Sequence, residues 1–281
     1  MTSYSDRLAQ SVREFGPLCV GLDPRVDSLP TSLRTTFSTP AEAVEAFCVR
    51  CLDLCRPYSG VVKPQAAFFE LLGAEGMTVM GRVISKAREC GYFVILDAKR
   101  GDIASTAEAY ADAAFRVWKA DALTVNPYLG RDAIEPFIRV ARETGGGLFV
   151  LVRTSNPGAS LFQNLNCEGQ PLYRHVAKAV DEWNAAGIGA TRLGDVGAVV
   201  GATHPQELVE LRAALPNCWL LVPGYGAQGG TAADVKAAYR PDGLGAIVNS
   251  SRGVTFPFKP DDADWESKIV AAAKKAQMEL R

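Results

Sequence analysis

The chain has 281 residues, with 30 basic against 31 acidic side chains, a formal charge of −1, 48% hydrophobic and 22% charged residues. This is globular composition with enough length for a sizeable core; it excludes disorder, collagen and coiled coil, and the near-zero charge argues against nucleic acid or a membrane surface as partner. No apolar run approaches the roughly 18 residues of a membrane span, and the opening MTSYSDRLAQ lacks the apolar stretch of a signal peptide, so a soluble, cytoplasmic protein is expected.

Followed in chain order, one unit repeats. A short apolar, β-rich run ends in a polar or Gly/Pro signal, and a helix-like amphipathic stretch follows. The runs cover residues 19–22, 61–62, 93–96, 122–125, 148–152, 198–200, 219–222 and 246–248. Between them lie AEAVEAFCVRCLDLC, GMTVMGRVISKAREC, STAEAYADAAFRVWK, RDAIEPFIRVARETG, LYRHVAKAVDEWNAAG, HPQELVELRAALP and AADVKAAY. Strands that are continuously apolar are buried on both faces, as in a parallel sheet covered by helices. Eight such β-then-α beats close most simply into a single (β/α)8 TIM barrel of the α/β class, one domain over 1–281. A doubly wound sheet is the alternative, but no GxGxxG follows the first run. Three connections, 23–40, 155–171 and 224–231, are longer than packing requires and are expected to form the pocket and its lid. The stretch WESKIVAAAKKAQMEL reads as a closing amphipathic helix with its lysines in water.

Seven cysteines in a long chain favour reduced thiols over a disulfide framework. Cys48, Cys51 and Cys55 fall on one helical stripe beside Val44 and Leu52, which points to core packing. Three ligands on one short helix rarely converge on a metal. His175 lies within a helical pattern and reads as a packed or surface residue. His204 precedes Pro205 at a helix start, where a supporting turn role is expected.

The residues that end the strands carry the functional signal. The first run ends in Asp23, the second in Lys63, the third in Asp97-Ala98-Lys99 followed by Asp102. The fifth is followed by Thr154 and Ser155, the seventh by Gly224 and Gln228, the eighth by Arg252. A barrel points all of these into one mouth. One charged strand end is ordinarily a solvated terminus, whereas several of mixed sign converging on one mouth are hard to read that way. Asp97 and Lys99, at i and i+2, share a strand face. An alternation of Lys63, Asp97, Lys99 and a second acid holds each lysine charged and in place. Such an array is a fixed field containing an ammonium proton donor, suited to generating and protonating a carbanion. The segment PGYGAQGG offers backbone N–H groups after the seventh run, and Arg252 after the eighth matches phosphate oxygens, so an anionic group is expected there.

Together these motifs resemble the orotidine 5′-monophosphate decarboxylase family, over residues 18–255. The third-strand Asp-x-Lys-x-x-Asp pattern is present as Asp97, Lys99 and Asp102, followed by Ile103 and Thr106. Asp23, Lys63, Ser155 in TSNPG, Gln228 in PGYGAQGG and Arg252 fall at matching positions. NPYLGRDAIEPF and GATHPQEL are similar to a longer bacterial branch. Ser251 departs from the Gly common before the arginine in shorter relatives. The resemblance implies cofactor-free, metal-free conversion of orotidine 5′-monophosphate (OMP) to UMP and CO₂, the last step of UMP biosynthesis. It implies that Lys99 protonates C6, that Asp97 sits against the leaving carboxylate, and that Lys63 holds Asp97 and a ribose hydroxyl. It assigns ribose to Asp23, the pyrimidine to Ser155 and Gln228, and phosphate to Gln228 and Arg252. It further implies a homodimer in which Asp102 and Thr106 reach into the neighbouring subunit's site. Metal-dependent sugar-phosphate decarboxylases and aldolases of the same superfamily share Asp-x-Lys-x-x-Asp, but resemble one another in an acidic metal ligand where this sequence has Lys63. A nucleotide-binding barrel without catalysis is the non-enzymatic alternative, disfavoured because every acid, base and phosphate position is filled.

Overall fold

The computed structural model describes residues 3–226 and 229–281. Eight parallel strands close into a barrel in which each strand pairs with its neighbours in sequence and the last returns to the first. They are β1 (Leu18–Leu22), β2 (Val61–Pro64), β3 (Phe93–Arg100), β4 (Ala122–Val125), β5 (Gly147–Arg153), β6 (Val196–Val200), β7 (Leu220–Val222) and β8 (Ala246–Ser250). The eight expected runs are all strands, and the barrel replaces the doubly wound alternative.

The alternation of side chains across each strand builds two cores. Inner-facing Cys19, Val61, Phe93, Ile95, Ala122, Phe149, Val199, Trp219, Leu221 and Ile247 fill the barrel. Helix Tyr4–Phe15 packs Tyr4, Leu8 and Val12 against this cluster, and Trp219 Nε1 donates to Ser5 Oγ at 2.9 Å. Outer-facing Leu18, Val20, Val62, Val94, Leu123, Val150 and Val248 pack instead against the surrounding helices. Because the inner set is apolar up to about the last turn of each strand, the next inner residue along each strand stands at the mouth.

Helix Pro40–Cys55 starts with Pro40 and a capping box in which Thr39 and Glu42 satisfy each other's backbone N–H groups. The Cys48, Cys51 and Cys55 stripe is buried in the outer core. Burial pushes the Cys55 thiol up to about 12 and raises those of Cys48 and Cys51 as well. Sequence periodicity overshot in one place. STAEAYADAAFRVWK is not one helix: Ala104–Asp112 is α-helical and Ala113–Val117 widens into a π turn. Nor are the long connections bare. Residues 23–40 contain helix Thr31–Thr36, and 155–171 contain helix Ser160–Gln163 and a two-stranded ribbon, Asn166–Cys167 with Gln170–Pro171. His175 Nε2 lies 2.8 Å from the Cys167 carbonyl oxygen, tying that ribbon to helix Leu172–Asn184, and His204 occupies the position before helix Pro205–Ala214. No described helix is long and apolar enough to cross a membrane.

Candidate active site

At the carboxyl ends of the strands, Asp23, Lys63, Asp97, Lys99, Ser155 and Arg252 line one cavity of about 480 Å³, a volume suited to a small organic ligand. Asp102 and Thr106 are not among its lining residues. The Asp102 carboxylate accepts the Ile103 N–H at 2.8 Å, and Thr106 is exposed on helix Ala104–Asp112. Gln228 lies outside the described residues.

The cavity has two unlike walls. From β1 to β4 come Asp23, Lys63, Asp97, Lys99 and Thr124, and from β5 to β7 come Leu151, Val199, Leu221 and Pro223. Lys63 Nζ donates to Asp97 Oδ2 at 2.6 Å and Lys99 Nζ donates to Asp97 Oδ1 at 2.6 Å. Asp97 and Lys63 are buried, whereas the Lys99 side chain is 47% exposed toward the cavity mouth. Burial pushes the Asp97 carboxyl up, but the two ammonium groups outweigh it and hold the group below the usual carboxylate range. For Lys63, burial disfavours the charge, yet Asp97 and then Asp23 more than restore it, so its ammonium is held above its usual value. The buried Oδ1 of Asp23 has no protein partner, an acceptor left for a ligand donor.

Plain strand alternation does not place Lys99. Pairing of β3 with β4 shifts register between Leu96 and Arg100, and Lys99 has φ of 47°. A left-handed lysine costs roughly 1–2 kcal/mol. The neighbouring strand holds it there: Thr124 Oγ1 accepts from the N–H groups of Ala98 and Lys99 at 3.0 and 2.9 Å and donates to Asp97 Oδ1 at 2.9 Å. Thr124 therefore fixes acid, bulge and lysine at once. In ALTV it looks like any β-forming residue, and no sequence signal distinguishes it.

At the other end of the cavity, the Arg252 guanidinium makes no ion pair among the described residues and is exposed at the mouth. Asn249 of β8 and Ser251, just past the end of that strand, line the cavity with it. The Ser251 departure is accommodated by Gly21 of β1, where a Cβ would lie 1.9 Å from Ser251 Oγ. Arg25, Gln65, Thr154, Asn156 and Tyr225 complete the lining. No group of three or more His, Cys, Asp or Glu residues placed to hold a metal ion occurs among the described residues.

Residues 16–263 match the family described as Orotidine 5′-phosphate decarboxylase / HUMPS family. Among curated relatives, the orotidine 5′-phosphate decarboxylase of Rhodopirellula baltica is 46% identical with 100% of both chains covered. That of Roseiflexus sp. is 45% identical over 100% of this chain and 96% of its own. Among solved structures, OMP decarboxylase of Leishmania donovani superposes with a TM-score of 0.82 at 38% identity, covering 99% of this chain and 97% of that one.

Proposed function

The chain belongs to the orotidine 5′-phosphate decarboxylase / HUMPS family, and on that premise we propose that its cavity decarboxylates OMP to UMP and CO₂ without a cofactor. The observation that carries this reading is the Lys63–Asp97–Lys99 chain of 2.6 Å contacts on the ionic wall. The pyrimidine lies against the apolar wall with its C6 carboxylate toward Asp97. The bond from C6 to the carboxylate carbon breaks, CO₂ departs, and the electron pair stays on C6. An N–H proton of Lys99 then passes to C6, and the half-exposed lysine recovers a proton from water. Because Asp97 is kept ionised, it is a fixed charge beside the departing group, and the two ammonium groups stabilise charge developing on the ring. Lys63 is too deeply buried to serve as the donor; it holds Asp97 and a ribose hydroxyl. The unpartnered Asp23 oxygen accepts from ribose. Ser155 and Gln228 bind the pyrimidine, and Gln228 and Arg252 take the phosphate, whose binding energy far from C6 supports the chemical step.

The single barrel acts as a homodimer with shared sites. Asp102 and Thr106 do not line their own cavity, and Leu71, Ile103, Tyr110, Tyr128 and Leu129, which follow the adjacent strands β2, β3 and β4, are exposed apolar side chains suited to burial between subunits. Its free cysteines fit a reducing, cytoplasmic setting. The metal-dependent reading needs a carboxylate at the end of β2, where Lys63 instead puts a cation against Asp97.

The test pairs two variants. Lys99→Ala abolishes turnover while UMP still binds, and Asp102→Ala is likewise inactive. Unfolding and refolding the two together restores activity, because each mixed dimer then holds one site with both residues intact. Turnover by Lys99→Ala removes it as proton donor, and a mixture as inactive as its components removes the shared site.

A further inference from the structure

Arg153 is a fully buried arginine that none of the chemistry above uses, and it directly precedes the cavity-lining segment Thr154-Ser155-Asn156. Alternation along β5 would turn it into the barrel after Phe149 and Leu151. The β5–β6 register shifts between Leu151 and Arg153, and the side chain runs outward instead. There its Nε donates to Glu207 Oε2 at 2.5 Å and its guanidinium lies 5.8 Å from the Tyr173 ring centre. Its Nη1 donates to Gln163 Oε1 at 3.2 Å.

Gln163 passes this constraint to the cavity. The same Oε1 accepts the Thr154 N–H at 3.0 Å, and Nε2 donates to Thr154 Oγ1 at 2.8 Å. The Thr154 hydroxyl in turn donates to Asn156 Oδ1 at 2.7 Å. Gln163 closes helix Ser160–Gln163, which buries none of its own residues and leaves Leu161 and Phe162 68% and 62% exposed. Apolar burial therefore does not seat this helix; the carboxamide does. One side chain holds residue 154 by both its backbone and its hydroxyl, and is itself anchored on a buried, ion-paired guanidinium.

We propose that Gln163, anchored by Arg153 and Glu207, is the positioning residue for base recognition, setting the segment 154–156 against the pyrimidine. This rests on the reading of Ser155 as a pyrimidine contact. It assigns Gln163 to the base and not to the phosphate or the reacting lysines, which lie on other strands. Gln163→Ala should raise KM for OMP and weaken UMP binding by roughly five- to tenfold, the scale of one lost hydrogen bond, with kcat little changed. Binding of ribose 5-phosphate, which carries no base, should be unaltered. Thr154→Val, which removes the hydroxyl but keeps the bonds from the residue 154 N–H and from Arg153 to Gln163 Oε1, should show the same selective loss and decides the matter if Gln163→Ala does not fold. Unchanged UMP affinity in the folded variants, or equal weakening of UMP and ribose 5-phosphate, overturns the proposal. Failure of the wild type to bind UMP instead overturns the reading on which it rests.

Discussion

Replacing Asp97 by Ala probes the ionic wall most sharply, because it removes the acceptor of three hydrogen bonds, from Lys63, Lys99 and Thr124. The three losses are unequal. Lys99 is half-exposed and turns to water at small cost. The Lys63 side chain is only 5% exposed and becomes a buried cation with Asp23 as its remaining acid. Removing one partner of a buried pair costs about 3–5 kcal/mol; the second acid and the adjoining open cavity place this case at the low end, about 3 kcal/mol. The assay is urea unfolding across pH. Asp97 has its folded pKa below its ordinary 3.8, so its contribution is full above that value and is lost as pH falls through the folded one. Lys63 has its folded pKa above its ordinary 10.5, so its contribution is full below that value and is lost as pH rises through the folded one. The gap between wild type and variant should therefore be level from about pH 5 to 9 and shrink outside that window. Adding Lys63→Met to the variant should recover most of the loss by removing the stranded charge. A variant as stable as the wild type at neutral pH, or a gap that widens in acid, refutes this electrostatic argument.

Three further outcomes are expected. Arg252→Ala should weaken binding of OMP and UMP but leave the phosphate-free nucleosides unchanged in a competition assay; equal loss for both moves the phosphate site elsewhere. Thr124→Val should lower kcat on the order of 10²-fold, the scale of a misplaced catalytic group, while leaving KM nearly constant. A thiol reagent should titrate only Cys90 and Cys167 in the native protein, because the other five cysteines are buried, and all seven after denaturation; rapid native labelling of Cys48, Cys51 or Cys55 contradicts their place in the core.

The barrel was legible because both-face burial gives continuous apolar strands, and eight repeats leave few other closures. Asp23, Lys63 and Asp97 were legible for a related reason: an inner-facing position that breaks the apolar pattern at a strand end must stand at the mouth. Lys99 is only partly legible from the pattern. Simple alternation suggested its face, whereas a register shift and a left-handed backbone deliver it. Thr124 and Gln163 escaped because their importance is in what they bond across strands and loops, and local pattern does not encode such partners. Arg153 escaped because an arginine after an apolar run reads as a solvated end, and only the bulge and Glu207 explain its burial.

The central claim is tested most directly by following OMP absorbance with the purified wild-type protein, with and without EDTA. Rapid loss of OMP with formation of UMP, indifferent to chelation, is the expected result. No turnover contradicts the decarboxylase assignment, and turnover abolished by EDTA contradicts the metal-free role given to Lys63.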